Sequence, residues 1–252
     1  MTKAKSPVDE LRRSLELLWR RGAEPTRGPR PGLTVDRIVD AAVALADADG
    51  LPALSMRNLA GALGVGTMTL YRYVPGRAEL VALMVDRVTG EGLDGPPAQG
   101  GWRERLAASA LGEWALYRRH PWLLSVEQGR PLLGPRSMAA TESALGTLEG
   151  TGLPVLDRMS VVMLVSSFVS GLARSAAEMA GAAERTGISD EEWWAAHGEF
   201  LADSAERAPQ LWAAGAAGAW ADGALEQDLR FGLETILDGV AARIAGAGPR
   251  EG

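Results

Sequence analysis

A chain of 252 residues is long enough for one large domain or two small ones. Its 46% hydrophobic and 23% charged residues exclude a disordered chain, and the absence of cysteine excludes disulfides and thiolate chemistry. The net charge of −6 excludes a surface that is basic throughout, but it is unevenly spread: residues 1–90 carry 13 Lys+Arg against 10 Asp+Glu, and residues 91–252 carry 13 against 22. A basic N-terminal third on an acidic remainder suggests that one part meets phosphate and the rest does something else.

The predicted elements begin with a short amphipathic helix over residues 8–21, where Val8, Leu11, Leu15 and Leu18 recur at spacings of three and four. Gly22 to Gly32 is a Pro/Gly/Arg arm carrying Arg27 and Arg30. It is read either as a minor-groove arm or as a solvated linker. Thr34 then caps a helix whose apolar face is Val35, Ile38, Ala42 and Leu45, stopped by Gly50 and Pro52. Ser55 caps a short helix from Met56 to Leu63, which Gly64 ends. A third runs from Thr67 to Tyr73, Pro75-Gly76 breaks the chain, and a fourth runs from Arg77 to Thr89.

Residues 90–101 hold five glycines and two prolines, the clearest boundary in the sequence. Beyond it the pattern is helical again: Trp102 to His120, stopped by Pro121; from Pro135 to near Gly150; Val155 to Arg185; a capping box at Ser189-Asp-Glu-Glu192 opening a helix to Arg207; and Asp222 to Ala245. No strand period appears, so the expected fold class is all-α. The expected organisation is residues 1–33 as helix and arm, 34–89 as a domain of short helices, and 102–246 as a helical bundle. The first twenty residues lack the apolar stretch of a signal peptide. The longest run without charge, Met159 to Ala173, is short of the roughly 20 residues that span a bilayer, so a cytoplasmic protein with no membrane partner is expected.

Ser55 to Val74 carries the chemistry. A helix-turn-helix needs two short helices joined by a tight turn. Gly64 supplies the positive φ, Ala60 allows close approach, and Leu59, Leu63, Val65 and Leu70 fill a small core. Thr67, Met68, Thr69, Tyr71, Arg72 and Tyr73 are left on the outer face, and hydroxyls, a cation and an apolar contact are what touch phosphates and base edges.

This block resembles the N-terminal domain of the tetracycline-repressor (TetR/AcrR) family. The matching residues are Leu59-Ala60, Leu63-Gly64-Val65, Leu70-Tyr71, Tyr73 and Arg77-Ala-Glu-Leu80. The likeness is close over residues 34–89 and architectural over 102–246. The sequence departs from the family at Gly66, where many members have Ser, at Val74, where many have Phe, and at Arg77, which replaces a phosphate-binding Lys. The resemblance implies a three-helix helix-turn-helix domain followed by a bundle for effector binding and dimerisation. It implies that Tyr71, Tyr73 and Arg77, with Ser55 and Arg57, contact phosphates, and that Thr67, Met68, Thr69 and Arg72 face the major groove.

By the same resemblance the bundle dimerises and binds a small molecule. Residues 155–185 and 222–245 are the expected homodimer helices, through Met159, Val162, Met163, Val165, Val169 and Leu172 and through Leu225, Leu229, Gly232, Leu233, Ile236, Leu237 and Val240. Candidate effector contacts are Trp114, Tyr117, His120 and Trp122 around the Pro121 kink, Met163, Ser166, Ser170 and Arg174 on the long helix, and Trp193 and His197 on the capped helix. Each could equally be a core residue. The chain is thus read as a ligand-responsive DNA-binding regulator, a repressor of a palindromic operator released by an apolar or aromatic effector. The alternative is a constitutive DNA-binding protein or an activator without an effector. With two histidines and no Walker-type loop, zinc-type cluster or nucleophile elbow, no enzyme activity, cofactor or metal is expected.

Overall fold

The structure, a computed structural model, describes residues 7–19, 32–94, 99–126, 133–201, 205–221 and 223–246. Arg27 and Arg30, and with them the arm, lie outside the described residues. Among the described residues all regular structure is helical. The chain divides into two compact units, residues 1–149 and 150–252. The composition break at 90–101 is therefore not where the contacts divide: the helices just after it stay with the first unit.

In the first unit, α1 (Pro7–Leu18), α2 (Val35–Asp49), α3 (Met56–Leu63), α4 (Thr67–Tyr71) and α5 (Arg77–Thr89) build one core. Thr34 Oγ1 accepts the Arg37 amide at 3.1 Å, which starts α2. Ile38, Ala42, Leu54, Leu59, Leu70, Val74, Leu80 and Met84 are fully enclosed. At about 1.5–3 kcal/mol for each large apolar side chain, this burial is what keeps the short helices α3 and α4 in place. Val74 sits in that core with none of its surface exposed, so the smaller residue is accommodated. The first helix packs on its own chain: Leu18 is buried, and Ser14 Oγ donates to Glu79 Oε1 on α5 at 3.0 Å.

Two more helices complete the unit, α6 (Trp102–Arg119) and α7 (Pro135–Gly146). The α6 helix ends at His120 because Pro121 cannot continue it, and a 3-10 turn, Pro121–Ser125, follows. Asp86 on α5 is buried and accepts the amides of Arg136 and Ser137, at 3.1 and 2.9 Å. It thereby caps the N-terminus of α7, where a carboxylate is favoured by the helix dipole. The approach is so close that a Cβ on Gly134 would overlap Asp86 Oδ1.

The second unit holds α8 (Val155–Ala180), α9 (Ala182–Thr186), α10 (Asp190–Leu201), α11 (Pro209–Ala216) and α12 (Ala224–Gly246). The expected helix 155–185 breaks at Gly181. Of the expected helix to Arg207, α10 covers Asp190–Leu201 and residues 205–207 form a turn, and α11 has no counterpart among the expected elements, although Pro209 at its first turn is a start signal. The Ser189 capping box is formed, each partner accepting the other's amide, at 2.9 and 3.2 Å.

Helices α8 and α12 pack through two stripes. Val161, Val165, Val169 and Ala173 face Leu229, Leu233, Leu237 and Val240, all buried. This corrects the expected dimer residues. Val165, Val169, Leu229, Leu233, Leu237 and Val240 are spent inside the protomer, because two helices at four-residue spacing bury one seam between them. Met159 and Met163 remain exposed, joined by Leu156 and Leu164, and Phe231 is exposed on α12. By length and composition alone α8 is apolar enough to cross a membrane. That character comes from a helix apolar on both the packed seam and the exposed side.

Candidate nucleic-acid interface and effector site

The candidate interface is built from the turn outward. Ser55 Oγ accepts the Asn58 amide at 3.1 Å and starts α3, and Asn58 Nδ2 donates to the Ala53 carbonyl at 2.8 Å. Gly64 ends α3 in the left-handed conformation, φ 66° and ψ 31°. The Val65 amide then returns to the Ala60 carbonyl at 3.0 Å, which satisfies the helix end and turns the chain sharply into α4. No atom lies within 4 Å of where a Gly64 Cβ would stand, so backbone conformation rather than crowding selects glycine.

The α4 helix is shorter than expected, Thr67–Tyr71 in place of Thr67 to Tyr73. Its end tightens: the amides of Arg72 and Tyr73 reach back three residues, to Thr69 and Leu70. Gly66 caps it without a side-chain bond. Leu70 is completely buried, which turns the opposite face outward. Met68 is 77% exposed; Tyr71, Arg72, Tyr73 and Arg57 are exposed; Ser55, Thr67 and Thr69 are half-buried. The nine candidate DNA residues thus lie on or beside one short helix-turn-helix with a polar, cationic rim.

Arg77 has a second role that its sequence position does not reveal. Its Nε donates to the Leu54 carbonyl and its Nη2 to the Leu51 carbonyl, both at 2.9 Å. It clasps the turn between α2 and α3 from the start of α5. Two of the five guanidinium donors are used this way.

The effector candidates do not form one group. Trp114 is buried on α6, and Tyr117, one turn on, donates to Glu113 Oε1 at 3.2 Å. His120 and Trp122 are corrected: each is 3% exposed and bonded inward to α2. His120 Nδ1 and Trp122 Nε1 both lie 2.7 Å from Asp47 Oδ1. They join the end of α6 to the last turn of α2. Asp47 is the hydrogen-bond partner that sequence reasoning missed, since an acid on a helix surface carries no signal of a partner 73 residues away.

In the second unit Met163 and Arg174 are exposed, Ser166 and Ser170 half-buried, and Ser170 Oγ donates to the Ser167 carbonyl at 3.2 Å. Trp193 and His197 stack with ring centroids 3.8 Å apart, Trp194 stands edge-on to Trp193, and Trp220 lies 5.8 Å from Trp194. This is a partly exposed aromatic cluster on α10 and beyond. A cavity of about 490 Å³ opens in the first unit among α1, α2, α5 and the start of α7, lined by Leu18, Trp19, Val39, Leu83, Asp86 and Arg136 among others. None of the ten effector candidates lines it.

Comparison with known proteins follows the same two-part plan. The model of bacterial regulatory proteins of the tetR family matches residues 38–84, and that of the tetracyclin repressor-like C-terminal domain matches residues 95–244. The HTH-type transcriptional repressor DrrR1 of Streptomyces coeruleorubidus is 43% identical over 249 residues, which covers 94% of this chain and 87% of that protein. Apo ActR from Streptomyces coelicolor superposes with a TM-score of 0.68 at 30% identity, covering 87% of this chain and 98% of its own. ActR in complex with actinorhodin gives 0.69 at 29% identity, covering 87% and 99%.

Proposed function

The chain belongs to the tetR family of bacterial transcriptional regulators, and we propose that it is a repressor that grips a two-fold DNA site as a homodimer and releases it when a small molecule binds. One observation carries the reading. The Gly64 turn and the buried Leu70 present Met68, Tyr71 and Arg72 outward on a helix-turn-helix whose base Arg77 holds. Thr67, Met68, Thr69 and Arg72 read base edges in the major groove, and Ser55, Arg57, Tyr71, Tyr73 and Arg77 hold phosphates. The donors that Arg77 does not spend on Leu51 and Leu54 suit a phosphate oxygen.

The exposed apolar face of α8, with Leu156, Met159, Met163 and Leu164, meets the partner's copy together with α12. Two recognition helices then lie about one helical turn of DNA apart, roughly 34–36 Å. The effector is apolar or aromatic. The candidate contacts are, within the first unit, Trp114 and Tyr117 on α6 and, within the second, the α8 residues Met163, Ser166, Ser170 and Arg174 and the stacked Trp193 and His197, each set offering aromatic or apolar surface with a few polar groups. Its binding shifts α5, the fourth helix of the DNA-binding domain, and with it the spacing of the two recognition helices.

The test is fluorescence anisotropy with the DNA upstream of the protein's own gene, alone and with actinorhodin, the molecule held in the ActR complex, as first probe. Salt-dependent binding that the probe or another aromatic compound reverses is expected. Tight binding that no compound in a broad aromatic panel reverses favours a constitutive DNA-binding protein, and no binding to that DNA or to any palindrome selected from random sequence overturns the reading.

A further inference from the structure

The elbow after α6 is held from two sides. On one side, Asp47 Oδ1 in the last turn of α2 takes both His120 Nδ1 and Trp122 Nε1 at 2.7 Å. On the other, Glu91, just after α5, takes Arg119 Nη1 at 2.6 Å and faces His120 Nε2 at 3.4 Å. The distances rank these contacts. The two bonds to Asp47 are short and charge-assisted. The Glu91–Arg119 pair is solvent-exposed, 34% and 61%, and such pairs contribute little. The 3.4 Å contact is at the limit of a hydrogen bond.

Pro121 is what makes the arrangement possible. It stops α6 and swings the His120 ring and the Trp122 indole out of the helix line onto one acceptor, where both are all but sealed from water. A carboxylate only accepts, so both elbow nitrogens donate. Neither donor has water to fall back on if the bond opens, and an unpaired buried N–H is costly. Hydrogen bonds this short weaken steeply when stretched. A displacement of α6 by about an ångström must therefore either break both bonds or carry the end of α2 with it. Helix α2 packs directly on α3 and α5.

We infer that Asp47 is a positioning residue for DNA binding: its Oδ1 latches the His120–Trp122 elbow, so the attitude of α6 is handed to the recognition pair through α2 and not through α5 alone. The inference rests on the regulator reading for its purpose, but its geometry can be tested without it.

The test uses the full-length protein. Because the chain has no cysteine, Ala62→Cys on α3 and Ser109→Cys on α6, both exposed, can carry two spin labels with no background. The labelled chain is diluted with unlabelled protein, and the intrachain distance distribution is measured by pulsed electron paramagnetic resonance. Asp47→Ala is expected to broaden the distribution and to weaken binding to the DNA upstream of the protein's gene by about tenfold, within the usual span of such couplings. Asp47→Asn, which keeps an acceptor oxygen in place, is expected to retain the parent's distribution. Trp122→Phe, which keeps the ring and loses one donor, is expected to fall between them. Circular dichroism and melting curves show which variants are folded. A folded Asp47→Ala or Trp122→Phe protein with the parent's distribution and DNA affinity overturns the latch. If the parent itself binds no DNA, the regulator reading fails, and the distance distributions still decide the latch.

Discussion

The α3–α4 pair and the α8–α12 pair both bury one seam between two helices, but they leave opposite surfaces. In α3–α4 the seam is a few side chains wide, closed by Leu59 and Leu70, and the outer face carries hydroxyls, tyrosine phenols and arginines. In α8–α12 the seam runs over four residues on each helix, and α8 exposes methionines and leucines on its outer side while Phe231 stands among polar residues on α12. A short pair held by a glycine turn needs the rest of its unit to be stable and offers a surface fit for a polyanion. A long pair is stable through its own stripes and offers a surface fit for another apolar surface. The proposed function rests on that difference: it gives DNA to the first pair and a second copy to the exposed side of the other.

Experiments can break that contrast, beginning with the largest expected effect. Leu70→Ala removes a fully buried side chain from the small seam and should cost about 2–5 kcal/mol in denaturant unfolding. DNA binding should be lost with it. A cost below about 1 kcal/mol would mean that α4 does not depend on that seam. Leu156→Glu with Met163→Glu, both on the exposed side of α8, should convert dimer to monomer in sedimentation while leaving helix content intact. DNA affinity should then fall by roughly 10²–10⁴, the usual gain from joining two binding modules. An unchanged mass would move the dimer elsewhere.

Tyr71→Ala and Arg77→Ala should weaken binding to all DNA sequences alike, and each lost phosphate contact lowers the salt slope by about 1. The two variants should part in stability. Arg77→Ala also frees the Leu51 and Leu54 carbonyls and should lower the melting temperature, whereas Tyr71 is exposed and should not. Loss of sequence preference with an unchanged slope would contradict the phosphate role. Gly64→Ala should cost about 1–2 kcal/mol through backbone strain alone, because the space for a methyl is open. A neutral result in urea melts would mean that the turn can rearrange.

The smallest effect belongs to α10. The Ser189 amide and hydroxyl hold the Glu192 carboxyl below its ordinary 4.5. A lowered carboxylate supports the folded helix above its unfolded range and loses that support as pH falls through the lowered one. The protection of α10 amides against hydrogen exchange, taken relative to the intrinsic rate at each pH, should therefore fall on acidification, and Glu192→Gln should remove that dependence. A protection factor in α10 that is flat with pH would show that the box does not hold the helix.

Much of this was legible in the chain because it is local. Ser55, Gly64, Pro121 and the Ser189 box act on residues within a few positions, and their signals need no knowledge of what packs where. The helix-turn-helix and the all-helical plan follow from such signals and from apolar spacing. The α11 helix escapes because an alanine- and glycine-rich segment has no apolar stripe.

What the tertiary structure alone decided is long-range. Apolar spacing marks which side of α8 and α12 is oily but not which oily residues meet inside one chain, so Val165, Leu233 and their neighbours read as partner contacts and yet belong to the protomer. Aromatic and histidine residues near a proline suggest a pocket, but whether they face a ligand or an acid depends on where α2 passes. Only the folded chain brings Asp47 to His120 and Trp122, and Arg77 to the carbonyls of Leu51 and Leu54. Hydrogen bonds between residues tens of positions apart leave no spacing in a sequence.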